Sequence, residues 1–468
     1  MNMKFAFYFS VIAFFILPLS TFCQTTQLTE AQYDSLKQNG LLNTVTPYEV
    51  IANPLPNPSP LAKKKYKNIP GKSSWCLAYT PADASFTLPF GPTDDMVSDT
   101  IYLPFTFCFY GQPQNKLFIS SNGLVTFDTI FNNFTPVIFP TQGFRCVAPF
   151  WADNDTGDNL NPIGTISYKI SPTHIKINYD SVGYYDSHGD KRNSYQLILT
   201  DGVDPIVQGG NAAFLYADMQ WTSGDLSNGT NGLNGLPAIM GMNKGDGVES
   251  FTVGEFDHEG TDFDGAGGSA DGVSFLDNQS FYLNVCDPGN VPPVPSAAAP
   301  CDTFTICAVG DTADFPLIFL SPEENQTTSI DIDFGGLTSI DTILNTSGNV
   351  AKMIVRAWGL PTTVGTYNIT VTATDNNTPT PGVTSFAFVL IIDNSGTIGF
   401  NPVLDQSITC DSATLTVLNG PFDSYLWSTV QQDSSIKLYE SDTISVTVER
   451  NGCYKKITEI IDVPTSID

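Results

Sequence analysis

Three features of this sequence predict an all-β, multidomain fold. Short apolar runs with period-two alternation recur along the chain, and aromatic residues reach 12%. Turn formers are abundant, with 38 glycines and 32 prolines, whereas charged residues make up only 15%. No sustained helical period appears beyond residue 75. At 468 residues the chain exceeds one ordinary core, so about three folded domains are expected.

Residues 1–23 read as a secretory signal peptide. Lys4 supplies the positive end, and the apolar run 5–19 is too short and too early for a lasting membrane span. Cleavage is expected between Cys23 and Gln24; the alternative makes Cys23 a lipid anchor, against which the bulky Phe22 counts. No later stretch is long enough to span a bilayer. Residues 24–72 form a linker with one short helix, 29–38, which Thr29 caps and Gly40 stops. A proline-rich tract, 53–60, precedes the basic cluster Lys63, Lys64, Lys65 and Lys67, read as a solvated linker or an exposed processing site.

The first large domain is assigned to 73–290. Leu117, Ile119 and the run 124–127 flank Asn122-Gly123, the favoured pair for a two-residue hairpin turn. Ile175, Ile177 and Tyr179 alternate with Lys176 and Asn178; Tyr195, Leu197 and Leu199 repeat the pattern, broken by Ile198. The stretch 148–155 runs from Ala-Pro-Phe-Trp into Ala-Asp-Asn-Asp, a buried strand end that opens into a polar loop. A Pro/Ala linker marks the boundary to 291–396, where Tyr367, Ile369, Val371 and Ala373 share one face of a strand. The last domain, 397–468, has Leu415, Val417, Trp427, Ile444, Val446 and Val448 as its core pattern. Trp151 and Trp427 are expected in cores, while Tyr184, Tyr185 and Trp221 are read either as core or as a carbohydrate-stacking surface.

Several pieces of 73–290 stand in a telling order. They include Leu103-Pro104-Phe105, Phe109-Tyr110-Gly111, the run 117–127 through Ser120-Ser121-Asn122-Gly123, Phe150-Trp151-Ala152-Asp153, and Tyr216-Ala217-Asp218-Met219-Gln220-Trp221. This series resembles the nidogen-like (NIDO) extracellular domain, found in basement-membrane nidogen and in other secreted or cell-surface proteins. The strands of 291–396 resemble an immunoglobulin- or cadherin-like sandwich. Those of 397–468 resemble the immunoglobulin-like repeats of exported proteins of Bacteroidetes. The resemblance implies cell–matrix adhesion through an extended interface.

An exported chain would pair its cysteines. Setting Cys23 aside leaves an even number, and the expected pairs are Cys76–Cys286, Cys108–Cys146, Cys301–Cys307 and Cys410–Cys453, with other connectivities open. Calcium is the cofactor candidate. Asp153, Asp155 and Asp158, beside Asn154 and Asn159, offer hard oxygens at close spacing, and Asp257, Asp262 and Asp264 form a second set with Glu259 and Asp271. Acidic, turn-forming surface loops are the alternative for both. A net charge of −28 sets the chain against nucleic acid and anionic membranes. The three histidines have no zinc-site spacing, and neither a nucleophile elbow nor a phosphate loop occurs. The reading is a non-enzymatic, secreted or cell-surface adhesion protein whose partner is an extracellular protein or glycan. A surface polysaccharide-binding module, or an accessory part of an exported glycan-degrading system, is the alternative.

Overall fold

The structure, a computed structural model, describes residues 26–42, 48–50, 77–157, 161–207, 210–265, 270–286, 290–295, 303–307, 311–321, 323, 326–393, 402–409, 412–429, 431–450 and 453–463. The expected signal segment, the basic cluster at 63–67, Cys76, Asp158, Cys301 and Cys410 lie outside these residues. Among the described residues no helix is long and apolar enough to cross a membrane.

Residues 1–51 form one compact unit and 52–468 another. In the first, Thr29 caps the helix Glu30–Gln38 reciprocally: its hydroxyl accepts from Gln32 N, and Gln32 Oε1 accepts from Thr29 N. Gly40, at φ 65°, ends the helix; its N–H goes to Lys37 O while Leu41 N–H reaches Leu36 O. Thr26–Leu28 pairs in parallel with Tyr48–Val50.

Among its described residues the second unit is all β apart from short 3-10 turns. Its first part packs two sheets face to face. One runs Ser280–Leu283, Ala212–Tyr216, His188–Thr200, His174–Tyr184, Asn154–Asp155, with Thr165–Ile170 also on His174–Tyr184. The other runs Asp271–Gly272, Ser250–His258, Ala238–Asn243, Cys146–Trp151, Leu124–Thr126, Gln112–Ser120, Ile101–Phe109. Ile101–Phe109 alternates in register with this core, sending Ile101, Leu103, Phe105, Phe107 and Phe109 inward.

Both sheets are also covered on their outer faces. Ile198, the residue that breaks the expected polar face, packs with Tyr79, Val207, Leu215 and Tyr282 in a second cluster. On the opposite sheet, Phe139 and Phe144 cover Cys146, Ala148 and Trp151. These two coats explain why the central strands are buried on both faces. The expected two-residue turn at Asn122-Gly123 is instead a three-residue loop, since Ser120 pairs with Leu124. Gly123 (φ 78°) lies so close to Phe150 O that a Cβ would sit 1.8 Å from it. Asn122 is the central residue of this loop and is completely buried.

Beyond residue 290 a four-stranded sheet runs Val294–Pro295, Thr312–Leu320, Val350–Trp358, Ile340–Thr346. It packs against a seven-stranded sheet running Thr328–Asp333, Gly365–Asp375, Val383–Ile392, Thr303–Ile306, Cys453–Ile461, Asp442–Arg450, Ser424–Trp427. That sheet crosses the sequence boundary placed at 396/397, because Thr305 pairs with Cys453. A three-stranded sheet, Val403–Ile408, Ala413–Leu418 and Ser435–Leu438, closes the last core around fully buried Trp427. Lys456 pairs with the buried Asp314 carboxylate, which Arg356 also holds, and Lys455 pairs with Asp311, so the two lysine ion pairs cross the same boundary.

The cysteine pairing differs from expectation. Cys108 bonds Cys286, and Cys307 bonds Cys453. Tyr110 N and Gly111 N donate to Val285 O and Cys286 O, which lays the two segments side by side with the Cys Cα atoms 4.9 Å apart. Cys146, expected to partner Cys108, is a buried free thiol in the sheet centre, and burial drives its pKa up. Cys307 stands two residues beyond Thr305, which places it against Cys453 and takes both residues from their expected partners.

Candidate metal centre

Three chain segments meet where the two sheets of the first β domain come together. Thr93 N donates to Thr156 Oγ1 at 2.7 Å and Thr156 N to Thr93 O at 3.0 Å. Met96 N donates to Ser121 Oγ at 2.9 Å, with Ser121 N returning to Met96 O. This double stitching holds Asp94 and Asp95 between the 120–124 turn and the segment after Trp151. Asp153 leaves the end of Cys146–Trp151, where its carbonyl accepts from Tyr185 N.

As a result, one carboxylate oxygen each from Asp94, Asp95 and Asp153 lie within 4.8 Å of one another. All three residues are buried, at 4%, 3% and 1% exposure. Gly224 closes over Asp153, and a Cβ there would come within 2.9 Å of Oδ2. Asn122 Nδ2 donates to Asp95 Oδ1 at 2.5 Å. Two unit negative charges about 4.8 Å apart repel by about 3.5 kcal/mol at an effective dielectric near 20, so a cation among these oxygens would be attracted to the site.

The expected first site is thereby rearranged. Asp153 joins the cluster, whereas Asp155 turns away: its Oδ1 accepts from Gly157 N at 2.6 Å and its Oδ2 from Ser187 N at 2.7 Å. Asp158 lies outside the described residues. Asp94 and Asp95 escape a reading by spacing because 58 residues separate Asp95 from Asp153. The local signal was the adjacent acid pair of Thr93-Asp94-Asp95, just after Gly91-Pro92.

The second expected set is tied up in other contacts. His258 bridges Asp257 (2.6 Å) and Asp262 (3.1 Å). Burial pulls the imidazole pKa down, but these two carboxylates outweigh it and raise the value above 6.5. Asp271 accepts from Asp264 N at 3.0 Å and Glu255 N at 2.9 Å. Burial lifts its carboxyl to about 8, the two backbone donors oppose that, and the charge of Asp264 adds to it. Asp262 is largely exposed. Among the described residues only Asp94, Asp95 and Asp153 gather as a metal-competent set.

Tyr184, Tyr185 and Trp221 are 1%, 2% and 0% exposed, so they form no stacking surface. Trp221 Nε1 donates to Val182 O, and its ring packs against Tyr184 and Phe150.

Residues 73–254 match the family model described as NIDO related. Alpha-tectorin of Homo sapiens is 29% identical over 190 residues, covering 34% of this chain and 8% of the relative. Alpha-tectorin of Gallus gallus is 30% identical over 198 residues, covering 35% and 9%. Nidogen of Drosophila melanogaster is 26% identical over 179 residues, covering 32% and 12%. The chain thus spans about a tenth of the length of these relatives. Among solved structures, a human CDH23 EC21-23 fragment is 16% identical with a TM-score of 0.17, covering 34% of this chain and 58% of that one. The chicken CNTN1 FN1-FN3 domains are 10% identical with a TM-score of 0.15, covering 64% and 98%. The match, the ordered motifs and the two-sheet core coincide: this all-β, multidomain chain carries a NIDO-related domain at residues 73–254.

Proposed function

We propose that the chain is a secreted or cell-surface adhesion protein of the cell–matrix type. The observation that carries this reading is the NIDO-related match, with alpha-tectorin and nidogen among its relatives, which points to an extracellular-matrix setting. In this reading 73–290 is the recognition head. The regions 291–396 and 397–468 serve as one stiff spacer, given the sheet, the disulfide and the ion pairs that cross between them. The chemistry is recognition rather than turnover, and the partner is an extracellular protein. The competing glycan-binding reading leaned on Tyr184, Tyr185 and Trp221, whose burial removes that support.

The test is retention of the full chain on surfaces coated with extracellular matrix. Antibody fragments raised against 73–254 should block retention, and fragments against 403–461 should not. Retention that soluble saccharides compete away would favour glycan capture, and absence of retention would refute the adhesive reading.

A further inference from the structure

We propose that Asp94, Asp95 and Asp153, beside the buried side-chain amide of Asn122, hold one calcium ion inside the NIDO-related domain. The inference does not depend on the adhesive reading.

The first support is metric. Calcium takes oxygen ligands at roughly 2.3–2.6 Å, so two ligands on opposite sides of one ion stand about 4.8 Å apart. The three carboxylate oxygens fall within that limit. Magnesium demands a regular octahedron and gives up its waters reluctantly, which suits a set of three carboxylates on separate segments less well than calcium's flexible coordination.

The second support is a separate polar group. The Asn122 side chain reaches the cluster, touching Asp95 through Nδ2, and the residue is fully buried. Its Oδ1 has no hydrogen-bond partner among the described residues. A buried carbonyl oxygen without a partner is costly, and a cation, or a water the cation carries, supplies the missing one. Asn154, next to Asp153, repeats the situation: Nδ2 donates to Ser121 O and Tyr195 Oη, and its buried Oδ1 has no partner among the described residues. Neutral amide oxygens beside carboxylates are the ligand mixture that calcium accepts.

The third support is the way the segments are held. The 93–96 loop, the 120–124 turn and the Asp153 segment come from separate parts of the sequence. An ion among them cross-links all three, so binding stabilises the folded domain.

The test uses the full chain, stripped with EDTA and dialysed, titrated with calcium chloride or magnesium chloride in a calorimeter and followed by thermal unfolding. Calcium should bind and raise the midpoint of the NIDO-related domain, with magnesium at least tenfold weaker. Asp153→Asn and Asp95→Asn should each weaken calcium binding at least tenfold. Asp262→Asn, in the exposed acidic loop, should bind calcium as the native chain does. Terbium titration of the native chain needs no variant; emission excited through tryptophan and displaced by calcium is expected. No calcium heat and no midpoint shift in the native chain would overturn the site. So would calcium binding that survives both Asp153→Asn and Asp95→Asn.

Discussion

Replacing Cys307 and Cys453 together by alanine tests how the last two β regions are joined. The bridge closes a loop with a sequence separation of 146 residues. In the chain-entropy description, releasing it restores about 5 kcal/mol of freedom to the unfolded chain at 25 °C. Three native features resist that loss: the Thr305–Cys453 strand pairing, the nine-residue pairing of Asp442–Arg450 with Cys453–Ile461, and the Lys456–Asp314 ion pair. The folded fraction should therefore persist in water while the urea midpoint falls sharply. Hydrogen-exchange mass spectrometry in rising urea is the assay, reading peptides from 303–306 and 453–461 separately. In the native chain both peptides should lose protection together. In the C307A/C453A chain the 453–461 peptide should open first, with a loss approaching about 5 kcal/mol. Disulfide mapping of the native chain that finds Cys453 joined elsewhere would refute the reasoning, as would a loss below about 1 kcal/mol.

Three further outcomes follow from the packing and the charges. Asp314→Ala should cost about 3–5 kcal/mol by urea denaturation, because it leaves the buried Lys456 ammonium without its carboxylate; a change within 0.5 kcal/mol, as at an ordinary surface site, would contradict this. Gly123→Ala should depress the unfolding midpoint severely or prevent folding, since its Cβ would meet Phe150 O at 1.8 Å in a left-handed backbone. Stability should fall as pH rises from about 4 to about 8. Asp271, raised by burial, holds its proton more tightly folded than unfolded, so its contribution is full below the unfolded carboxylate pKa and drains away toward about 8. His258, also raised, contributes below the ordinary imidazole pKa and loses that contribution as pH passes its folded value. Unfolding midpoints at pH 5 and pH 8.5 check the sign, and Asp264→Asn should flatten the slope by removing the neighbouring charge.

Local pattern made the strands legible. Ile175, Ile177 and Tyr179 point into the core as their alternation requires, and Trp151 and Trp427 are buried. Misread were features set by contacts distant in sequence. Ile198 looked like a flaw in a polar face until Tyr79 and Tyr282 were seen to cover it. Asn122-Gly123 has the composition of a tight turn, yet the nearby Phe150 carbonyl and the Asp95 carboxylate decide its geometry. Cysteine pairing depends on which strands become neighbours, and Thr303–Ile306 pairs with Cys453–Ile461 across the expected domain boundary. Asp153 was visible as a candidate ligand, while Asp94 and Asp95 reach it only because Thr93 and Met96 are stitched to Thr156 and Ser121. A reading by spacing finds ligands that share a loop and misses those that share a fold.

Under tension the Cys307–Cys453 bond acquires another role. Pulling on the chain from outside this pair sends the load through the covalent bridge and past everything between the two cysteines. Fully extended, the 146 bypassed residues would add roughly 500 Å of contour. While the bond is intact that length stays hidden, so the two β regions yield little under load and behave as a short, inextensible tether.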